Sequence, residues 1–98
     1  MKIQILASAV DDLRDGREFY ELQEKGAGDY FQKHLISDID SLALYGGIHR
    51  KVFGYHRLLS KRFPYAIYYR MNTPDEIVVY RVLDCRRNPL AIRKSLDS

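Results

Sequence analysis

The start of the chain changes from strand-like alternation to helical spacing. Residues 2–6, KIQIL, alternate apolar and polar side chains and include β-branched isoleucines, which predicts a short strand. An apolar stripe with steps of four, three and four then predicts a helix over about residues 9–25; its members are Ala9, Leu13, Gly16 and Tyr20. Ser8 immediately precedes this helix and is a residue type that caps helix N-termini, so we predict it as the N-cap.

Two glycines separate this helix from a second amphipathic one. Gly26 and Gly28 interrupt the pattern, and glycine readily adopts the left-handed conformation that ends a helix. Helical spacing then resumes in an apolar stripe formed by Phe31, Leu35, Ile39 and Leu42. The polar residues predicted to face away from that stripe are Gln32, Lys33, Asp38 and Asp40. Because the connection is short, the two helices must form an antiparallel hairpin, and Gly46 and Gly47 end the second helix.

From His49 onward the apolar residues recur with a period of two, which is the spacing of β-strands. The pattern predicts three strands, over residues 50–60, 63–71 and 77–83. Residues 72–76, NTPDE, form a polar turn that makes the second and third of these strands an antiparallel hairpin. Residues 90–96 follow a break at Pro89 and are expected to form one helical turn or to stay irregular.

Together these elements predict an α+β fold with the order β-α-α-β-β-β, in a single domain over residues 1–98. The helical hairpin is expected to cover one face of a mainly antiparallel four-stranded sheet. No further helix is long enough to cover the opposite face. That face is therefore expected to be polar or to be completed by another molecule.

The strand predicted over residues 63–71 carries aromatic rings on both faces. One face receives Phe63, Tyr65, Ile67 and Tyr69, and the other receives Pro64, Ala66, Tyr68 and Arg70. In the strand over residues 77–83, the same alternation separates Val78, Tyr80 and Val82 from Ile77, Val79, Arg81 and Leu83. These patterns fit either a central strand with polar ends or a face that binds a large anionic partner.

Positive charge is concentrated in the second half of the chain. Residues 1–49 carry five Lys and Arg against nine Asp and Glu, a net charge of −4, whereas residues 50–98 carry eleven against four, a net charge of +7. The cations predicted to align as a basic stripe across the sheet are Arg57, Lys61, Arg70, Arg81, Arg86 and Arg87. Arginine pairs well with phosphates and carboxylates, and nearby tyrosines can stack on bases. For Arg81, an alternative is that its stem covers apolar surface while its guanidinium group reaches water.

The sequence lacks the usual signatures of a metal or cofactor site. The three histidines, His34, His49 and His56, are widely spaced and no Cys or Asp spacing completes a zinc site. No glycine-rich phosphate loop is present either. We therefore expect no metal and no cofactor.

The sequence also indicates where the protein is located and whether it can form a disulfide. The longest uncharged stretch, residues 41–49, is far shorter than the ~20 residues of a membrane span, so we expect a cytoplasmic protein with no membrane partner. Cys85 is the only cysteine and cannot form an internal disulfide. Arg86 and Arg87 beside it are of the type that can lower the pKa of a thiol, but no neighbouring pattern resembles a cysteine hydrolase, and we expect no redox chemistry.

Three segments, FYELQEKGAGDYF, YHRLLSKRFPYAIYYRM and IVVYRVLDCRRNP, together resemble the RelE/ParE toxins of bacterial type II toxin-antitoxin modules. The resemblance covers nearly the whole chain, and the order of its motifs agrees with the predicted layout. It implies a small intracellular toxin, encoded beside an antitoxin whose C-terminal segment wraps around the toxin and neutralises it. Plasmid stabilisation, growth inhibition and contact with operator DNA only through the antitoxin are further implications.

The resemblance leaves three functions open. RelE-like members cut mRNA on the ribosome, whereas ParE-like members share the fold and poison DNA gyrase. A RelE-like protein would use a cationic catalytic set comprising Arg57, Lys61, Arg70 and Arg81, together with a late Tyr or His. Asp84 stands where related sequences commonly have His, and an ionised Asp would repel a phosphate, which favours the ParE-like interpretation. The third possibility is a degenerate toxin that only binds its antitoxin.

The residues predicted to bind the target or the antitoxin extend the basic stripe by two neighbours. They are Arg57, Lys61, Arg62, Tyr65, Arg70, Arg81, Arg86 and Arg87. The antitoxin segment is expected to lie across the groove between helices and sheet, with its acidic residues facing the basic half of the toxin.

Overall fold

The computed structural model describes residues 1–97 and has the α+β architecture that the sequence predicts. Its elements follow one another as β1 (Lys2–Ile5), α1 (Ala7–Gln23), α2 (Ala27–Asp40), α3 (Leu42–Tyr45), β2 (Lys51–Val52), β3 (Tyr55–Leu59), β4 (Tyr65–Thr73), β5 (Glu76–Asp84) and α4 (Pro89–Leu96). The strands form one sheet in the order β1-β5-β4-β3-β2. Only β1 and β5 are parallel neighbours in this sheet.

The sheet has five strands rather than four because the strand predicted over residues 50–60 is a small hairpin. Its turn consists of Phe53 and Gly54, which both have positive φ angles, of 56° and 84°. Positive φ at two central residues is the turn geometry that best joins twisted antiparallel strands. Val52 therefore pairs with Tyr55, and β2 becomes an edge strand.

The hairpin of α1 and α2 packs on one face of the sheet, as predicted. The α1 stripe is buried at Ala9, Leu13 and Gly16, and the α2 stripe is buried along its whole length. A Cβ atom at Gly16 would lie 2.6 Å from the ring of Phe31, so glycine allows the two helices to approach closely. Gly26 has a φ of 90° between the helices, which confirms its predicted left-handed conformation.

The N-cap prediction for Ser8 is wrong, because its hydroxyl is used by the sheet. α1 begins at Ala7, and Ser8 Oγ donates a hydrogen bond of 2.7 Å to the carbonyl oxygen of Tyr80. One turn later, the Asp12 carboxylate accepts the backbone N–H of Val82 at 2.9 Å. β1 pairs with β5 only as far as Val79. Ser8 and Asp12 therefore hydrogen bond with the backbone of the next part of β5, where its edge is no longer paired with β1.

Asp38 also departs from its predicted position. It lies on α2 but only 8% of it is exposed, so it does not face solvent. Its Oδ2 atom accepts a 2.7 Å hydrogen bond from Ser60 Oγ, which joins α2 to the loop after β3. A hydrogen-bonded partner of this kind makes a buried carboxylate tolerable.

The prediction of an uncovered second face is wrong. The eight residues of α4 lie over that face, where Ile92 and Leu96 pack with Tyr55, Ala66, Tyr68 and Leu83. Tyr55 also donates its hydroxyl to the carbonyl oxygen of Leu96 at 3.1 Å. Two apolar residues four positions apart thus bury part of this face, although the tail was predicted to be too short for this role.

A β-bulge changes the face assignment in β5. Tyr68 pairs with Arg81 and Tyr69 pairs with Val79, which leaves Tyr80 as the extra residue. Val82 consequently joins Val79 in the core under the helical hairpin, and Tyr80 packs on the α4 side. The predicted grouping of Val82 with Tyr80 is therefore wrong, whereas the predicted alternation along β4 is confirmed.

Candidate interaction site

Four of the predicted binding residues lie together at one end of the sheet. β3 ends and β4 begins around the loop that contains Lys61 and Arg62, and β5 ends just before Arg86 and Arg87. The two loops are joined by a 2.8 Å hydrogen bond from the backbone N–H of Cys85 to the carbonyl oxygen of Pro64. We call the surface formed by Lys61, Arg62, Arg86 and Arg87 the basic end.

The cations of the basic end differ in how firmly they are held. Arg86 binds the Asp84 carboxylate through two guanidinium nitrogens, at 3.0 and 2.7 Å, which holds the pKa of Asp84 below its ordinary value. Among the described residues, Arg62 contacts only the hydroxyl of Tyr30, at a long distance of 3.5 Å. Lys61 is exposed and makes no ion pair or hydrogen bond within residues 1–97. Lys61 and Arg62 are thus the cations at this end that remain available to a partner.

Arg57, Arg70 and Arg81 lie on the second face of the sheet, beside α4. Arg57 on β3 and Arg81 on β5 both pair with Tyr68 on β4, which lies between them. Arg57, Tyr68 and Arg81 therefore form one row across the sheet. Burial raises the pKa of Tyr68, and the adjacent Arg57 guanidinium opposes that rise. Arg70 stacks on the ring of Tyr55 at 3.9 Å, which is a cation–π contact on an exposed guanidinium group.

Arg81 is held by hydrogen bonds to two other elements of the protein. Its Nε and Nη2 atoms donate to the two oxygens of Asp12 at 2.7 and 2.8 Å, and its Nη1 atom donates to the carbonyl oxygen of Ser95 at 2.9 Å. The hydrogen bond to Asp12 raises the pKa of Arg81. Arg81 therefore joins α1, β5 and α4, and neither the predicted solvent-exposed head nor a free catalytic cation is present.

Tyr65 lies on the face under the helical hairpin, away from Arg57 and Arg70. Its ring packs edge-on against Phe31 at 4.9 Å between centroids. The eight predicted residues thus occupy three places: the basic end, the second face and the hairpin side. The prediction of one continuous cationic stripe is wrong, because Lys61, Arg62, Arg86 and Arg87 lie in loops at the basic end and Asp12 pairs with Arg81.

An apolar groove between α1, α2 and β1 is a feature that the sequence analysis missed. It encloses about 430 Å³, and its apolar lining consists of Ile5, Val10, Leu13 and Ile36. Its polar rim consists of Arg14, Arg17, Asp29 and Gln32. Arg17 and Asp29 form an ion pair of 2.6 Å across the two helices. Val10 and Ile36 flank the predicted apolar stripes of the two helices. These extra apolar residues were the sequence feature from which the groove could have been predicted.

A cluster of two histidines and a tyrosine was also missed. The hydroxyl of Tyr69 accepts the backbone N–H of Gly47 at 2.9 Å and hydrogen bonds with Nδ1 of His49. The ring of His56 stacks on Tyr69, and its Nδ1 lies 2.6 Å from the carbonyl oxygen of His49. Burial lowers the pKa of His49, and the proximity of His56 lowers it further. The cluster fixes the loop between α3 and β2.

The thiol of Cys85 does not behave as the neighbouring arginines suggest. Partial burial raises its pKa, and Arg57 only partly offsets that effect. The neighbouring arginines therefore do not lower the pKa of this thiol below its ordinary value. Within the part of the chain that the structure describes, no group of His, Cys, Asp and Glu side chains is arranged to hold a metal ion. In the same part, no helix is long and apolar enough to cross a membrane.

Comparison with known proteins identifies the family. The family model for the ParE toxin of type II toxin-antitoxin systems, parDE, matches residues 3–89. The chain belongs to the ParE toxin family. The fold is also similar to a solved structure of the chromosomal ParDE TA system from P. aeruginosa, with a TM-score of 0.68 at 17% sequence identity; the match covers 84% of this chain and 92% of that one. No curated protein matches the sequence significantly.

The match to the ParE family model confirms the predicted resemblance to RelE/ParE toxins. The matching model is that of the ParE toxins. It spans every element from β1 to the first residue of α4. The low identity to the P. aeruginosa protein means that the structural likeness supports the ParE fold alone.

Proposed function

We propose that this ParE-family protein inhibits growth by binding DNA gyrase, and that an antitoxin encoded beside it neutralises it. The observation that carries the binding mode is the pairing of Arg81 with both oxygens of Asp12. A cation whose charge is paired in this way is poorly available to stabilise a phosphodiester transition state. In this proposal the toxin acts as a binding inhibitor, in the cytoplasm and without a cofactor.

The residues that mRNA cleavage would need are arranged poorly for that reaction. Cleavage is assisted by a free cation at the transition state and by a proton donor for the leaving oxygen. Arg81 is occupied, and Arg86 keeps Asp84 ionised by lowering its pKa, so Asp84 is no proton donor at neutral pH. Arg57 and Arg70 lie on the second face, whereas Lys61 lies in the loop at the basic end. This separation favours binding over catalysis.

The basic end is the surface that we assign to gyrase. Lys61 and Arg62 are exposed, and the side chains of Tyr30 and Phe63 lie beside them as two aromatic rings 5.8 Å apart. Arginine and aromatic side chains are enriched among the residues that dominate binding at protein interfaces. A surface of this kind fits an acidic region of a large protein.

The groove between α1, α2 and β1 is the surface that we assign to the antitoxin. Its apolar lining suits the apolar side of an extended or helical segment, and Arg14 on its rim suits an acidic residue of that segment. A disordered segment can fold as it binds there, which explains how one short chain can cover a large part of the toxin. Operator DNA would be contacted by the antitoxin rather than by this chain.

The proposal is tested by expressing the toxin alone, the adjacent antitoxin alone, and both together. We expect growth arrest with the toxin alone and normal growth with both. Purified toxin should inhibit gyrase supercoiling or trap cleaved DNA. Unchanged growth on expression of the toxin alone would favour the hypothesis of a degenerate toxin that only binds its antitoxin. Normal supercoiling at saturating toxin would reject gyrase as the target. New mRNA ends on toxin-treated ribosomes would establish the RelE-like activity instead.

A further inference from the structure

A small polar pocket opens beside the basic end, between α1 and the adjoining ends of β4 and β5. It encloses about 170 Å³ and is lined by Asp12, Asp15, Gly16, Tyr65, Val82, Leu83, Asp84 and Arg87. Three carboxylates thus face one opening. Nothing in the proposed roles of the groove or of the basic end uses this pocket.

Tyr65 supplies an unpartnered hydroxyl to the pocket. Only 8% of the residue is exposed, and its hydroxyl makes no hydrogen bond within residues 1–97. Its ring is fixed against Phe31 and Tyr20, with centroid distances of 4.9 and 6.3 Å. Burial and the nearby charge of Asp84 raise the pKa of Tyr65 to about 12, so the hydroxyl stays protonated at neutral pH. No buried side-chain oxygen or nitrogen of the described residues lacks a hydrogen-bond partner, so this unpartnered hydroxyl reaches the surface of the pocket, where a partner from outside can bind it.

The three carboxylates are not equally occupied. Asp12 is bound by Arg81 and by the backbone of Val82, and Asp84 is bound by Arg86. Asp15 is exposed and makes no ion pair or hydrogen bond with any other described residue. The pocket therefore offers one free negative charge beside one free hydroxyl.

The shape of the pocket is protected by packing. Gly16 lies in its wall, and a side chain at this position would collide with the ring of Phe31. Val82 and Leu83 add apolar surface next to the carboxylates. This combination of an apolar wall and a carboxylate suits a long side chain that has an apolar stem and a charged head.

We propose that this pocket receives a lysine or arginine side chain of the antitoxin, with Asp15 and the Tyr65 hydroxyl binding its charged head. The inference rests on the proposed function, because it assigns a second contact to the same partner. Arg87 lies at the pocket rim and donates to Ser95 Oγ at 3.3 Å. An acidic residue next to the inserted cation would match Arg87, so the antitoxin segment should carry both charges close together.

The test measures the affinity of the purified antitoxin for toxin variants by calorimetry. Asp15→Asn and Tyr65→Phe remove the charge and the hydroxyl while keeping the shapes of the side chains. We expect each to weaken binding about tenfold, the usual range for a hydrogen bond to a charged group. Asp75→Asn, in the exposed turn between β4 and β5, and Tyr45→Phe, at the other end of the molecule, are the controls and should bind normally.

A second set of variants identifies the inserted side chain. Each Lys and Arg of the antitoxin is changed to Met, and each change is combined with Asp15→Asn. For one of these residues, the two changes together should weaken binding clearly less than the product of their separate effects, because they remove one shared contact.

The outcomes separate this inference from the proposed function. If the antitoxin binds Asp15→Asn and Tyr65→Phe as tightly as the wild type, the pocket is not its site, although the toxin-antitoxin pairing stands. Purely additive effects for every antitoxin cation would likewise overturn the inference. If the wild-type toxin binds no antitoxin, the proposed function itself fails, and this occupant of the pocket fails with it.

Discussion

The two faces of the sheet are covered in very different ways. The face under α1 and α2 holds a cluster of twelve buried residues, to which aromatic and aliphatic side chains contribute. The face under α4 holds a cluster of six, and Arg57, Arg70 and Arg81 lie beside it. The first face thus supplies most of the apolar burial that stabilises the domain. The second is a thinner layer in which charged groups and a short helix take part.

The largest effect that this comparison predicts is at Phe31 in the hairpin face. Phe31→Ala should lower the free energy of unfolding by about 3–5 kcal/mol, because it removes a fully buried ring that contacts Tyr20, Phe63 and Tyr65. Urea denaturation measures the change. Phe19→Ala is the control: that ring is 48% exposed, and a loss of 3 kcal/mol there would show that the hairpin face is not the centre of stability.

A smaller loss is expected under α4. Ile92→Ala removes a buried side chain from the six-residue cluster, and we expect a loss of about 2 kcal/mol, the lower end of the range for such changes, because an eight-residue terminal helix can adjust. Leu90→Ala on the same helix is the control, since Leu90 is exposed. If Ile92→Ala proved as costly as Phe31→Ala in the same urea titration, the distinction between the faces would be lost.

The ion pair between the faces gives the third prediction. The side chains of Arg81 and Asp12 are only 21% and 10% exposed, so Asp12→Asn leaves a largely buried charge without its partner. We expect a loss of about 1.5 kcal/mol, less than for a fully buried pair. Adding Arg81→Met to Asp12→Asn should recover part of that loss, because Asn still accepts the Val82 N–H and no charge remains. Full additivity in denaturation experiments would mean that the two side chains do not interact.

The smallest predicted effect is a pH dependence at the His49 cluster, on the rim of the hairpin face. Because the pKa of His49 is lowered in the folded protein, the unfolded chain binds more protons just below its ordinary value of 6.5. Stability should therefore decline as pH falls through 6.5 and level off below the folded pKa. The lowered pKa of Asp84 acts only near and below its ordinary value of 3.8, which keeps the two effects apart.

The His49 effect is measured by urea denaturation at several pH values between 7 and 5, with His49→Asn as the comparison. The slope over this interval should be shallower in the variant. An identical slope in both proteins would contradict the assignment of this pH dependence to His49.

The sequence predicted the hairpin face well because its patterns are long and periodic. The stripe of α2 and the alternation of β4 were each readable over several turns or residue pairs. The second face depends on features that periodicity does not record: the bulge at Tyr80, the turn at Phe53 and Gly54, and the contacts of a short terminal helix. The bulge and the contacts of the terminal helix depend on residues that are distant in the sequence, and the turn depends on two residues alone.

The candidate site was predictable only in part for the same reason. Lys61, Arg62, Arg86 and Arg87 are close in space because two strand ends adjoin, which the order of strands implies. The partner of Arg81 is Asp12, at a separation of 69 residues, and no local pattern connects them. The free hydroxyl of Tyr65 could not be inferred either, since it follows from packing on three sides.

Gyrase supercoiling with charge-reversed toxins tests the central claim most directly. Two neighbouring pairs of exposed cations differ only in location: Lys61 and Arg62 at the basic end, and Arg50 and Lys51 beside the edge strand β2. With both pairs changed separately to Glu, and folding checked by circular dichroism, the first variant should lose inhibition and the second should keep it. Inhibition that survives reversal at the basic end, or that is lost equally in both variants, would contradict the assignment of that end to gyrase.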